Sequence, residues 1–450
     1  MLKRIFTIAI ITGAGQLFVI FALKYISQNS SPEQVKAIGQ IDSLVLFIMN
    51  VIALGLQSAA IRDLALTNDW QEKYRQIQSA RVTMGFLLTF IAILAFVNPY
   101  YIIFLAAPIF GWSGDYALYA RGYPIAGSVI AFIRLLIPFS CLILAVYFQS
   151  EWLPVIYLAS FIIIYILSSF IISMVLKTQY FFFPAINNLR LYLESFYLGV
   201  VILSLYFIGL GLVLVLPYFY EDPVVAIAFL GLKFYVIFKG VLRIIHQAFI
   251  KEMADYEVCF KVDQMAGLIG MSFVIFICCF PSTFIRLFFG EKFIHYKTYF
   301  ILVAIAAFIY SVFSSLIIKA MLEKKDKSYA LTCFFSAFFT LLASILFSFF
   351  NETVVYVGVS LILGELFFAS GMVMLMHRPG LLQERLVFIS KSMLFFLIPL
   401  AIKLFFGDEL LPFILSLVVF SLIIIVSYHK KFHIGQLPQL PVPVDHKNDG

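Results

Sequence analysis

Charge is what this 450-residue chain has least of: Asp, Glu, Lys and Arg make up only 12% of it, against 63% hydrophobic residues. With a mean hydropathy of +1.03, that scarcity excludes a water-soluble globular domain. Cysteine is scarce as well. Cys141, Cys259, Cys278, Cys279 and Cys333 form no CxxC pair, and four of the five lie in apolar stretches where they act as small hydrophobes, which argues against a disulfide framework or a cysteine metal site. The six histidines show no HExxH spacing, and His429 and His433 flank Lys430-Lys431 in what reads as a solvated basic tail. There is no GxxxxGK[ST] loop, and Gly13-Ala-Gly15 lacks a third glycine, which argues against ATP-driven transport by this chain alone. No G-x-S-x-G elbow is present either. The expectation is a chain with no catalytic residues, no cofactor and no metal, and not an enzyme.

What the chain has in abundance is long apolar runs. Windows of 17 or more mostly apolar residues fall at 5–25, 43–61, 82–98, 100–119, 125–148, 153–175, 191–216, 224–248, 264–285, 298–319, 329–350, 354–376, 390–406 and 410–428. Fourteen spans make this an all-α, multi-pass membrane protein. The fourth is interrupted by Gly111-Trp-Ser-Gly-Asp115. Met1-Leu-Lys-Arg4 ahead of the first run looks like the start of a signal peptide, but no small-x-small cleavage site follows, so the run reads as an uncleaved first span.

The basic residues orient these spans. Of 31 Lys and Arg, 22 fall in segments on the side of the N-terminus, 5 on the opposite side, and Arg134, Lys233, Lys239 and Lys403 fall within spans. Both termini are therefore expected in the cytoplasm. The net charge of +7 follows from this bias and from anionic membrane lipids, and argues nothing for nucleic acid. The longest polar connections, 26–42 outside and 62–81 inside, leave no room for a soluble domain. The inner one reads as an interfacial helix with Trp70 and Tyr74 at headgroup depth. The carboxylates Glu221-Asp222 and Asp408-Glu409 read as solvated outer turns.

The eighth run, AIAFLGLKFYVIFKGVLRIIHQAFIK from Ala226 to Lys251, carries Lys233, Lys239 and Arg243. A cation at the bilayer centre costs roughly 2.5–3.5 kcal/mol on insertion scales. At about 100° per residue, Lys239, Arg243 and His246 share one stripe, with Lys233 about 120° away. Arg243 reads as part of a cytoplasmic rim. Lys233 and Lys239 read as midplane charges, serving either an anion inside a polar cavity or buried carboxylates. Two further charges stand inside spans: Arg134, ahead of Pro138, and Glu365, either a coupling carboxylate or a counter-ion. The second and eighth spans both lead through a polar linker to a span that closes at a proline, Asn98-Pro99 and Phe280-Pro281. That repeat predicts two pseudo-symmetric six-helix lobes around a central cavity, 1–178 and 179–388, followed by two extra helices over 389–428 and a cytoplasmic tail over 429–450.

Gly55-Leu-Gln-Ser-Ala-Ala-Ile-Arg62-Asp, Trp112-Ser-Gly-Asp-Tyr-Ala-Leu-Tyr-Ala-Arg121 and Pro281-Ser-Thr-Phe-Ile-Arg-Leu-Phe-Phe-Gly290-Glu-Lys-Phe, in this order and spacing, resemble the polysaccharide or O-antigen (Wzx-type) flippases of the multidrug/oligosaccharidyl-lipid/polysaccharide (MOP) exporter superfamily. The resemblance implies alternating access that moves an undecaprenyl-pyrophosphate-linked oligosaccharide to the outer leaflet of a bacterial inner membrane, for O-antigen, capsule or exopolysaccharide. It implies cavity cations at Arg62 and on the eighth span. Together with the intramembrane charges this makes Lys233, Lys239, Arg243, Arg62 and Arg134 the candidate substrate-binding residues and Glu365 the candidate for H+ or Na+ coupling. Expected partners are the lipid-linked oligosaccharide, membrane lipids and a polymerase/chain-length regulator complex. A membrane polymerase or ligase, and a drug/cation antiporter of the same superfamily, are the alternatives. The first lacks its usual large outer loop here. The second favours acidic cavity residues.

Overall fold

The computed structural model of the chain describes residues 2–57, 59, 60, 64, 69–249, 253, 255–350 and 353–428. Its bundle is built from α1 (Leu2–Asn29), α2 (Pro32–Ala53), α3 (Trp70–Phe96), α4 (Pro99–Ala120), α5 (Pro124–Tyr147) and α6 (Leu153–Leu176). A broken α7 (Ile186–Glu194 and Phe196–Phe207, bent by 77°) precedes α8 (Asp222–Ala248), α9 (Tyr256–Cys279), α10 (Glu291–Leu322), α11 (Asp326–Ser348) and α12 (Val354–Met376). The chain ends in α13 (Leu381–Phe406) and α14 (Leu410–Tyr428). Twelve of these are long and apolar enough to cross a membrane, and the bent α7 raises the number to 13. Each of the fourteen apolar runs thus corresponds to a helix, the seventh to a broken one.

Three boundaries differ from the hydropathy reading. The second helix begins at Pro32 because Ser31 and Gln34 form a reciprocal capping box, so residues 32–42 belong to a span and not to an outer linker. The third helix starts at Trp70. Its first three turns are therefore not an interfacial helix, and Tyr74 is buried against Tyr116 and Phe182. Residues 61–63 and 65–68 lie outside the described residues. The seventh run is two helices, not one. The supposedly solvated turns are engaged too: Asp222 pairs with Lys36 at 2.6 Å, and Asp408 accepts the amides of Ser282 and Thr283 at the start of a short helix, Pro281–Phe288.

Helix packing repeats at an offset of six. As α1 lies along α5, so α7 lies along α11; α5 packs on α6 as α11 packs on α12; α3/α4 and α4/α6 correspond to α9/α10 and α10/α12. Across the halves, α1 meets α8 as α7 meets α2, and α2 packs on α8 where the repeat meets itself. Two pseudo-symmetric six-helix lobes result, and α13 and α14 pack on each other, with α13 against α9. The α2/α8 contact is tight: a Cβ on Gly39 would lie 2.6 Å from the Phe229 ring. At the other end α2 breaks at Gly55, whose φ of +78° places it against the Ser195 carbonyl and the Gly199 amide of α7.

Candidate functional site

The eighth helix sits at the lobe interface, and its two lysines, Lys233 buried and Lys239 half-buried, face different lobes. Lys233 reaches back across the interface to α2. Its Nζ donates to Asp42 Oδ2 at 2.6 Å, the Tyr157 hydroxyl of α6 donates to the other carboxylate oxygen at 3.0 Å, and the Phe139 ring of α5 lies 5.6 Å from the ammonium. Both charged side chains are under one-tenth exposed. This pair joins the first lobe to the second. Nearby, α2 is also tied to the second lobe by Lys36–Asp222, by Ser43 Oγ donating to the Leu210 carbonyl (2.7 Å), and by the Tyr206 hydroxyl donating to the Ser43 carbonyl (2.8 Å).

Lys239, about 9 Å further along the helix axis, turns into its own lobe. It donates to Glu365 Oε1 of α12 at 2.9 Å and is sandwiched between the rings of Tyr235 (4.3 Å) and Tyr310 (4.2 Å). The Tyr235 hydroxyl donates to the same oxygen, while Glu365 Oε2 is buried without a hydrogen bond. Arg243, one turn on, is exposed, and among the described residues it has no carboxylate partner. It is close enough to Tyr310 of α10 and Tyr119 of α4 to interact electrostatically with both. His246 is buried on Ser314 Oγ at 3.0 Å.

The remaining candidates do not join this cluster. Arg134 is buried inside the first lobe, where Nε donates to Ser168 Oγ (2.9 Å), Nη1 stands 3.6 Å from Asp115 Oδ2, and the guanidinium lies over Tyr165. Arg62 lies outside the described residues. Of the buried carboxylates, sequence reasoning found Glu365 and missed Asp42 and Asp263. Asp42 was placed in a linker, although the S-x-x-Q capping signature at Ser31 puts it ten residues, or about 15 Å, into α2. Asp263 was likewise placed just before a span. It is buried in α9 against Arg385 of α13 and accepts the Ser315 amide at 2.8 Å. The Asp255 cap that starts α9 two turns earlier was the available signal.

The eighth helix thus carries one cation pinned between the lobes, one pinned within a lobe and one, Arg243, with no carboxylate partner among the described residues. No protein-family model and no curated protein matches this sequence. Among solved structures, the chain is similar to the lipid II flippase MurJ in an inward closed conformation, with 14% identity over 94% of this chain and 99% of that one and a TM-score of 0.72. It is also similar to an inward-facing multidrug resistance MATE family transporter of the MOP superfamily, with 14% identity over 85% of this chain and 98% of that one and a TM-score of 0.55. At this identity the likeness speaks to architecture, and the chain has the fold of the MOP-superfamily transporters.

Proposed function

We propose that the protein flips a lipid-linked oligosaccharide, carried on undecaprenyl pyrophosphate, from the inner to the outer leaflet of a bacterial cytoplasmic membrane by alternating access of its two lobes, supplying O-antigen, capsule or exopolysaccharide assembly. The observation that carries this reading is Arg243, exposed and without a carboxylate among the described residues, one turn from Lys239 and sharing Tyr310 with it. With Glu365 included, that cluster bears a net positive charge. An anionic headgroup leaving water is compensated there in a low-dielectric setting, while a polyprenyl tail remains in the bilayer. The fold of a flippase over nearly the full length of both chains supports the same reading. A cationic drug finds the opposite environment, because the buried carboxylates Asp42, Asp263 and Glu365 and the partly exposed Asp115 each have a basic partner.

In the proposed cycle Arg243 makes the first contact with the pyrophosphate, Lys239 joins by leaving Glu365, and Lys233 is released when the lobes part at Asp42. The test is translocation of a labelled lipid-linked oligosaccharide in proteoliposomes. Arg243→Ala is expected to lower the rate about tenfold or more, the value of one lost charged hydrogen bond, without lowering thermal stability. Wild-type translocation by Arg243→Ala combined with Lys239→Met and Glu365→Gln would sink the assignment of the headgroup site.

A further inference from the structure

Deep in the first lobe, away from the eighth helix, Arg134 stands 3.6 Å from Asp115, and a second buried guanidinium, that of Arg81, lies on the ring of the adjoining Tyr116. Arg81 of α3 and Arg134 of α5 are 3% and 7% exposed. Both interact electrostatically with Asp115 at the helical restart of α4. The carboxylate also accepts a hydrogen bond from Ser113 Oγ at 2.9 Å. Each cation lies over an aromatic ring, Arg81 at 5.1 Å from Tyr116 and Arg134 at 4.3 Å from Tyr165. Among the described residues two cations stand against one anion, a net charge of plus one.

The hydrogen bonds fall short as well: among the described residues Arg81 Nε and Nη1 and Arg134 Nη2 are buried without an acceptor. Arginine stays charged at every physiological pH and its N–H groups only donate, so this deficit cannot be relieved by losing a proton. A buried donor left unpaired is costly, and more so when it is charged. Water would satisfy the donors but leave the charge uncompensated.

We infer that the first lobe binds a small monovalent inorganic anion of the halide class between Arg81 and Arg134, with Asp115 setting its affinity. The site takes a halide and not a lipid phosphate because its donor atoms are enclosed, and because its single net charge is cancelled by a single negative one. The bound anion would lock α3, α4 and α5 together as one rigid body.

The full chain, purified in detergent with chloride replaced by gluconate at constant ionic strength, is titrated with chloride and with bromide while thermal unfolding is followed. A saturable rise in Tm is expected with both halides. Arg81→Gln weakens the apparent halide affinity about tenfold or more. Asp115→Asn, which removes the competing negative charge, strengthens it; a merely destabilised protein would not show that gain. Bromide-soaked crystals are expected to give anomalous density between the two guanidinium groups. Unfolding curves that coincide in halide and gluconate, a rise that survives Arg81→Gln unchanged, or no anomalous density at that position would each overturn the inference.

Discussion

Lys233 and Asp42 are the most direct handle on the contact between the lobes, because each belongs to a different one and among the described residues neither has another charged partner. Neutralising one of them strands the other as a buried, unpaired charge, at a cost of roughly 3–5 kcal/mol. That cost falls mainly on the arrangement in which α2 and α8 are closed together, since parting them lets water reach the stranded charge. If only about 2 kcal/mol of it separates the two arrangements, the closed-to-open ratio drops roughly 30-fold. Ala226 of α8 is 4% exposed and lies on the same helix about 10 Å from Lys233 toward Asp222, beside a pocket also lined by Val35 and Phe293. In a background without the five native cysteines, Ala226→Cys is labelled with a membrane-impermeant maleimide from the outer face. Labelling is expected to be slow in the parent and roughly 30-fold faster with Asp42→Asn or with Lys233→Met. The double variant, which buries a neutral pair, is expected to return close to the parental rate. Parental rates in both single variants, or a double variant as fast as either single one, would show that the pair does not hold this end shut.

Two further outcomes test the frame and the coupling. Gly55→Ala forces a Cβ to within 2.4 Å of the Ser195 carbonyl at a backbone φ of +78°, so it is expected to lose at least about 2 kcal/mol, read as a fall in Tm and in yield of folded protein. On the proposed reading, Glu365→Gln removes the carboxylate that Lys239 leaves behind, and transport by that variant is expected to lose its dependence on an imposed proton or sodium gradient. Unchanged gradient dependence in proteoliposomes would leave Glu365 a structural counter-ion.

The spans were legible because hydrocarbon imposes length and composition directly: 20 apolar residues have few alternatives to a helix in a bilayer. The lobe repeat was visible only where chemistry punctuated it, at the paired Asn98-Pro99 and Phe280-Pro281 stops. A proline bars the preceding residue from helix and begins the next helix well. The charged pairs were half legible. Charges inside apolar runs stand out, and Lys233, Lys239, Arg134 and Glu365 are legible that way. Asp42 and Asp263 lie just outside the apolar windows, where averaging with the polar residues before them lowers the score and assigns them to linkers although each is well inside its helix, and only the helix caps at Ser31 and Asp255 correct this. Pairing itself was out of reach, since Lys233 and Asp42 are 191 residues apart. Arg81 escaped notice for the same reason as Asp42, because α3 begins eleven residues before it and not at it.

The pairing of both midplane lysines changes what kind of anion site the eighth helix can offer. A standing pair of free cations in the bundle would bind a pyrophosphate tightly and also hold it, because uniformly strong binding stabilises one state and slows departure. A lysine already held by a carboxylate exchanges one anion for another, so only the difference between Glu365 and the headgroup enters the affinity. On the proposed cycle Arg243, which has no carboxylate among the described residues, supplies the uncontested attraction, and the Tyr235 and Tyr310 rings that flank the Lys239 ammonium would steady it through the exchange. Glu365, stranded when Lys239 turns away, already has one oxygen buried without a donor. Such a carboxylate demands a cation or a proton, and on the proposed cycle this demand ties headgroup arrival to ion uptake on one side and headgroup departure to ion release on the other.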